Sequence, residues 1–269
     1  MTGTPELDPG YGPSTATGDN LLNDFVQESA ASYSAFGAAR GDRVGRVENV
    51  VTLIDAAPSL PFTNRAVLER PIDDLRTALE PIAAFFDTGP DTPFLLDSAW
   101  PTPDLRPFGY ALVGYPPLMV RPAGEPFRPV PPELRIERVD DDSTARDFEY
   151  AMVHGYPVPQ LLPMRDITVM TPPARTASGW HHFVGYVDDE PVASGSGYVG
   201  DRLVHLDNIA TLESVRGRGY GVALTAAAAG ADPIKPAALI ASELGGPVYR
   251  RMGFVSMLRY TYWLGRRSA

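Results

Sequence analysis

Ile209-Ala210-Thr211-Leu212-Glu213-Ser214-Val215-Arg216-Gly217-Arg218-Gly219-Tyr220-Gly221-Val222-Ala223-Leu224 is the stretch whose reading decides the fold. It reads as a β-strand, a turn rich in glycine and arginine, and the first turn of an alanine-rich helix. That order aims a row of backbone N–H groups and the positive end of a helix dipole at one point, which suits an anion and above all a phosphate. Gly217, Gly219 and Gly221 at alternate positions let a pyrophosphate approach without meeting a Cβ. Arg216 and Arg218 add charge for the phosphate oxygens.

A dinucleotide fold wants G-x-G-x-x-G with an acidic residue about 20 positions on. Here the third glycine falls one residue early, and the next acidic residue, Asp232, sits in a turn before Pro233. No G-K-S or G-K-T triplet exists, so a P-loop is excluded. The spacing that fits is R-x-x-G-x-G from Arg216 to Gly221, which resembles the coenzyme A pyrophosphate loop of the GNAT superfamily of N-acetyltransferases. Downstream, Ala237 to Ser242 suits a buried strand, and Tyr249-Arg250-Arg251-Met252-Gly253-Phe254 closes a short helix at Gly253. Leu258 to Leu264 is a final strand. A tyrosine followed by Gly-Phe beyond the loop is a second feature that resembles this superfamily.

At 269 residues with 44% hydrophobic composition, the chain can build two cores. It has no cysteine, so disulfide and thiolate chemistry are excluded. The net charge of −10 disfavours nucleic acid and suits a cationic amine. Lys235 is the only lysine, a composition bias and not a device. The histidines, two of them adjacent at His181 and His182, have no metal-ligand spacing. The N-terminus lacks the basic and apolar regions of an export signal, and no apolar run is long enough to span a membrane. A cytoplasmic protein with no membrane partner is expected.

Residues 1–20, rich in Gly, Pro, Thr and Ser, read as a disordered arm. Leu21 to Gly37 is helical in pattern, Val47 to Ile54 and Pro61 to Leu68 are strand-like, and Pro71 to Phe86 carries apolar residues at helical spacing. Phe94 to Leu96 and Tyr115 to Val120 are short strands. Pro116, Pro117, Pro122, Pro126, Pro129, Pro131 and Pro132 stiffen the next segment, and 121–132 reads as an interdomain linker. Leu134 to Val139 alternates as a strand, Ser143 to His154 is a helix with Ser143 at its N-cap, and His182–Val187 and Val192–Val199 form a hairpin. Leu203 to Thr211 enters the loop. Residues 133–269 therefore run β-α-β-β-β-α-β-α-β-β. Phe62–Leu68, Pro71–Phe86, Pro93–Leu96 and Leu105–Tyr110 repeat part of that order, with Glu69-Arg70-Pro71 where a glycine-rich loop would stand.

The resemblance implies an α/β (α+β) fold: a mixed, mostly antiparallel GNAT-type sheet flanked by helices over 133–269, in tandem with a degenerate GNAT-like domain over 21–120. It implies acetyl-CoA as co-substrate and direct acetyl transfer to a primary amine. Main-chain groups of Ile209, Ala210 and Thr211 would bond the pantetheine arm, with the Ile209 N–H facing the thioester oxygen. Gly217 to Val222, with Arg216, would hold the pyrophosphate. Ser242 stands where many members have Asn. Tyr249 matches the tyrosine that protonates the leaving thiolate, with a packed aromatic as the plain alternative. His205 stands where some members place a glutamate base, and a histidine satisfied by a neighbouring strand is an equal reading. His205 and Asp207 lie on one strand face. Glu213 reads as a solvated charge. Gly155 to Pro173, with Tyr156, Gln160, Met164 and Arg165, occupies the place of acceptor recognition. The acceptor is open among polyamine, antibiotic, amino acid and protein N-terminus. A non-catalytic acyl-CoA-binding regulatory module and a transferase for longer acyl groups such as succinyl are the rival readings.

Overall fold

The computed structural model describes residues 20–47, 50–56, 63–87, 93–124, 126–156, 158, 161–164 and 166–266. Expectations for the arm over 1–19 and for Pro61, Phe62, Gln160 and Arg165 fall outside the described residues. The fold is mixed α/β, with two mostly antiparallel sheets flanked by helices.

Helix α1 (Asn20–Arg40) leads into the hairpin β1 (Arg43–Val47) and β2 (Val51–Asp55). The single strand expected over Val47–Ile54 is thus split, because the Val50 amide turns back to donate to the Val47 carbonyl at 3.0 Å. Then come β3 (Arg65–Leu68), α2 (Arg76–Phe86) and β4 (Phe94–Ser98). Helix α2 starts later than the Pro71 expected, since the Asp74 carboxylate takes the Arg76 amide at 3.0 Å in a preceding turn. A 3-10 turn (Arg106–Phe108), ended by left-handed Gly109, precedes β5 (Ala111–Gly114).

Next are β6 (Pro117–Arg121), β7 (Arg135–Arg138), α3 (Asp142–Gly155), α4 (Pro172–Arg175), β8 (Trp180–Val187) and β9 (Glu190–Val199). The cap of α3 is Asp141, not Ser143: its carboxylate accepts the Thr144 amide at 2.8 Å and the Thr144 side chain closes a capping box. Left-handed Asp188 and Asp189 (φ 51 and 63) make the tight β8–β9 turn. The chain ends with β10 (Val204–Thr211), α5 (Tyr220–Ala229), β11 (Ala237–Ile240), α6 (Gly246–Arg251), β12 (Val255–Arg259) and β13 (Thr261–Gly265). The one final strand expected over Leu258–Leu264 is broken at Tyr260, whose amide donates to the Pro116 carbonyl at 2.9 Å.

That break moves the chain between sheets. The first sheet has the order β1-β2-β3-β4-β13-β5 and the second β12-β6-β11-β10-β9-β8-β7. Each contains a strand from the other half of the sequence: β6 lies between β11 and β12, and β13 between β4 and β5. Apart from β7, the sheets correspond strand for strand. Each runs through two antiparallel pairings and one parallel pair (β3 with β4, β10 with β11) to a strand from the other half and then an edge strand, both paired antiparallel. The division into 21–120 and 133–269 expected from the prolines therefore does not coincide with the two sheets.

One core spans the exchange. Phe25, Leu53, Ile82, Phe86 and Phe94 of the first lobe are buried with Leu118, Val120, Ala238, Leu258 and Tyr260 of the second sheet and its crossing. Helix α1 is tied to the second lobe too, since the Glu28 carboxylate accepts the Arg202 and Leu203 amides and Trp180 Nε1 donates to the Ser32 carbonyl at 3.0 Å. Helix α5 lies close on β9, where a Cβ at Gly197 would meet the Ala228 carbonyl oxygen at 2.4 Å. A protein cut to 133–269 loses β6 and leaves β11 and β12 without the strand between them. It is predicted to show no cooperative thermal transition, whereas the full chain melts in one; a sharp melt of the fragment contradicts this.

Candidate active site

Strand β10 is irregular where it matters. Its register with β9 jumps between Asp207 and Ala210, placing one extra residue in β10 as a bulge. Asn208 takes the left-handed φ of 55 that asparagine tolerates. The turn is held by Asp207 Oδ1, which accepts the Asn208 amide at 2.7 Å, and by Ser194 Oγ, which donates to the Asn208 carbonyl at 2.9 Å. On the other edge β10 pairs with β11 only at Val204↔Ala237 and His205↔Ala238. Beyond His205 the two strands part.

The loop beyond this gap has Gly217 and Gly219 in the left-handed region (φ 82 and 89) and opens α5 at Tyr220. Side chains at Gly217 and Gly219 are strained by the backbone, and at Gly221 a Cβ would come within 3.1 Å of Thr211 Oγ1. Arg216 behaves differently from the sequence expectation: Nη2 donates to the Gly155 carbonyl at 2.9 Å and Nε to the Thr211 carbonyl at 3.3 Å. It ties α3 to the end of β10 instead of being held ready for an anion. Arg218 is exposed and outside the cavity wall. The Tyr220 side chain is buried, its hydroxyl donating to Glu133 at 3.1 Å, so only its main chain serves the loop. Glu213 is exposed as expected.

A cavity of about 1190 Å³ lies between the lobes, lined by Ile209, Ala210, Thr211, Gly217, Gly219, Gly221, Val222, Ser242 and Tyr249 on one side and by Tyr33, Arg65 and Tyr262 on the other. Ser242 Oγ accepts the Gly245 amide at 3.1 Å, which turns the chain into α6. Tyr156 donates its hydroxyl to the Ile209 carbonyl at 2.9 Å, bracing the bulge. Burial first, then the Asp207 carboxylate, raises the Tyr249 phenol above its ordinary pKa, with the Thr225 hydroxyl opposing. Tyr249 therefore keeps its proton at neutral pH.

His205 is elsewhere. It is 2% exposed and is not part of the cavity wall. Its Nδ1 lies 2.9 Å from Ser32 Oγ, and its ring meets Phe25 and Tyr33 of α1 edge-on. Burial, with Arg65 acting in the same direction, lowers its pKa to about 4 against the pull of Asp207. Asp207, two positions on and on the same strand face, lines the cavity, whereas α1 covers His205.

Three features escaped the sequence reading. Tyr33, Arg65 and Tyr262 come from the other lobe, and no local pattern announces them. The bulge had one cue, an Asp-Asn pair inside a strand. Glu149 on α3, 1% exposed, accepts the amides of Thr168, Val169 and Met170 at 2.8–3.1 Å and the Thr168 hydroxyl at 2.6 Å. It pins the segment that carries Val169 to the cavity wall. Met164, from the same region, packs on the α3 core.

The family model described as "Acetyltransferase (GNAT) family" matches residues 148–231, from within α3 to just past α5. Solved structures extend the likeness in fold over nearly the whole chain. A GCN5-related N-acetyltransferase from Kribbella flavida is 18% identical with a TM-score of 0.62, over 90% of this chain and 96% of that one. One from Sphaerobacter thermophilus is 13% identical with a TM-score of 0.53, over 92% and 94%. A tandem GNAT protein from the clavulanic acid biosynthesis pathway is 15% identical with a TM-score of 0.50, over 94% and 98%. No curated protein sequence matches. Among the described residues no helix is long and apolar enough to cross a membrane.

Burial gives the stability a pH dependence. His182, like His205, is lowered from 6.5, to about 3, by burial before its charged neighbours. The unfolded chain takes up these protons near pH 6.5 and the folded chain does not, so this stability is complete above 6.5 and lost as pH falls towards 4. Asp97, raised to about 6 by burial, opposes them, its stability being lost as pH rises from 3.8 through 6. Three histidines, His181 being lowered by burial as well, outweigh the two carboxylates that burial raises, Asp97 and Glu28, and the melting temperature is predicted to fall from pH 6.5 to 4, less steeply in His205→Gln. A flat profile contradicts the burial of the imidazoles. Glu149→Ala strands buried amides and is predicted to cost about 3 kcal/mol in urea unfolding; a loss within error would show the carboxylate to be idle.

Proposed function

We propose that the chain is an N-acetyltransferase that moves the acetyl group of acetyl-CoA to a primary amine by direct transfer. One observation carries this: the gap where β10 leaves β11 runs directly into a left-handed glycine loop at the start of a helix. Exposed strand-edge groups suit the amides of an extended pantetheine arm, and the helix N-terminus suits a pyrophosphate. Ile209, Ala210 and Thr211 would bond the arm, Gly217 to Val222 would hold the phosphates, and Ser242 would border the arm from the end of β11. The co-substrate supplies the thioester. The protein orients the amine, excludes water with a second lobe and keeps a proton on Tyr249 for the departing sulfur. We take the protein to act in the cytoplasm, with neither nucleic acid nor membrane as partner.

The first lobe reads as a degenerate copy that binds no coenzyme. Its parallel pair, β3 with β4, is in register at all positions from Arg65↔Leu95 to Leu68↔Ser98, so no slot opens. Between β3 and α2, Glu69-Arg70-Pro71 stands where a glycine-rich loop would be.

Thermal unfolding with acetyl-CoA tests the reading. Ligand at 100 times its Kd adds about 2.7 kcal/mol, a rise of several degrees, and NAD is expected to add none. Gly219→Val is predicted to abolish the rise. No shift at millimolar acetyl-CoA overturns the proposal. Tyr249→Phe is predicted to lower kcat at least about 10-fold with acetyl-CoA affinity unchanged. An unchanged rate would remove Tyr249 from the chemistry, and coenzyme binding without turnover of any amine would favour the non-catalytic module.

A further inference from the structure

Both lobes build the cavity, and Asp207 is one of three carboxylates in its wall, with Asp42 and Glu243. Tyr33 from α1, Tyr156 beyond α3, Tyr249 from α6 and Tyr262 from β13 all line it. The charge of Asp207 reaches each of these phenols and raises it, burial being the larger cause every time. Asp207 accepts the Asn208 amide and enters no ion pair among the described residues. Of the four arginines in the wall, Arg40, Arg65, Arg216 and Arg251, the first two are ion-paired. Arg65 is ion-paired with Asp97 and lies 4.4 Å over the Tyr33 ring, and Arg40 meets Asp42 at 3.3 Å. Two carboxylates, Asp97 and Asp207, thus face one guanidinium, and one negative charge is left over.

A charge left over inside a wall of phenols suits an ammonium, which the carboxylate attracts and the ring faces favour. Apolar side chains, among them Phe36, Met152, Val169 and Trp180, line the same cavity. A carboxylate brought beside Asp207 would find Arg65 and Arg40 already held by Asp97 and Asp42.

We propose that the acceptor is a small primary amine with an aromatic or other apolar body and no carboxylate beside its nitrogen, bound as the ammonium against Asp207. This rests on the acetyl-transfer reading. The ammonium gives one proton to the Asp207 carboxylate. The freed lone pair forms the C–N bond to the acetyl carbon while the C–S bond breaks. The departing sulfur takes the Tyr249 proton, the phenolate takes the remaining excess proton from the acylated nitrogen, and Asp207 returns its proton to solvent.

The test uses the full chain and three matched probes: phenethylamine, phenethyl alcohol and phenylalanine. Binding is measured by calorimetry in the presence of coenzyme A, and turnover as free thiol released from acetyl-CoA. Phenethylamine is expected to bind and turn over at least 10-fold better than phenylalanine, with the alcohol inert. Asp207→Asn, which keeps an acceptor for the Asn208 amide, is expected to lose at least 10-fold in phenethylamine affinity while its thermal shift with acetyl-CoA is unchanged. Phenylalanine matching or exceeding phenethylamine, no binding of phenethylamine, or full amine affinity in Asp207→Asn overturns the proposal. The wild-type probe series decides even where the variant does not fold. Loss of the acetyl-CoA shift in the wild type would instead sink the acetyl-transfer reading.

Discussion

Two strands are exchanged between the halves of the chain, and everything else in the molecule is built on that exchange. The crossings lie side by side: the Tyr260 amide donates to the Pro116 carbonyl at 2.9 Å, and Arg259 Nη1 donates to the Tyr115 carbonyl at 2.7 Å. Because β6 sits inside the second sheet and β13 inside the first, neither sheet is complete without the other half. The hydrophobic core accordingly runs through both. The shared strands and core tie together the two lobes that wall the cavity. A preformed cavity reduces the ordering that a ligand must impose.

The same two-sheet plan serves opposite purposes. In the second sheet a bulge and an early parting of β10 from β11 leave backbone groups facing a gap, and the glycine loop closes its far end. In the first sheet the equivalent strands stay paired along their length. What that lobe contributes is wall: Tyr33 and Arg65 directly, and through the exchanged strand Tyr262.

Much of the second lobe was legible in the sequence because its signals are local. The alternate glycines, the left-handed stop at Gly253 and the apolar run at 237–240 each determine a few neighbouring residues and nothing further. Capping was legible in kind but not in place, since Asp141 and Ser143 are both good caps and the capping box with Thr144 chose between them. The exchange was not legible. A Pro-rich run can be a linker or the end of a strand, and only pairing with β11 and β12 decides for Pro117–Arg121. His205 illustrates the same limit. Strand alternation puts it on the face of Asp207, which lines the cavity, but α1, distant in sequence, covers the imidazole.

Hydrogen exchange of the full chain with and without acetyl-CoA probes the central claim most directly, because it reports on both lobes at once. The account predicts slowed exchange concentrated at residues 209–222 and at the 241–245 turn, with β3, β4 and the 69–75 segment unchanged. Protection centred on the segment between β3 and α2, or none across 209–222, would contradict it.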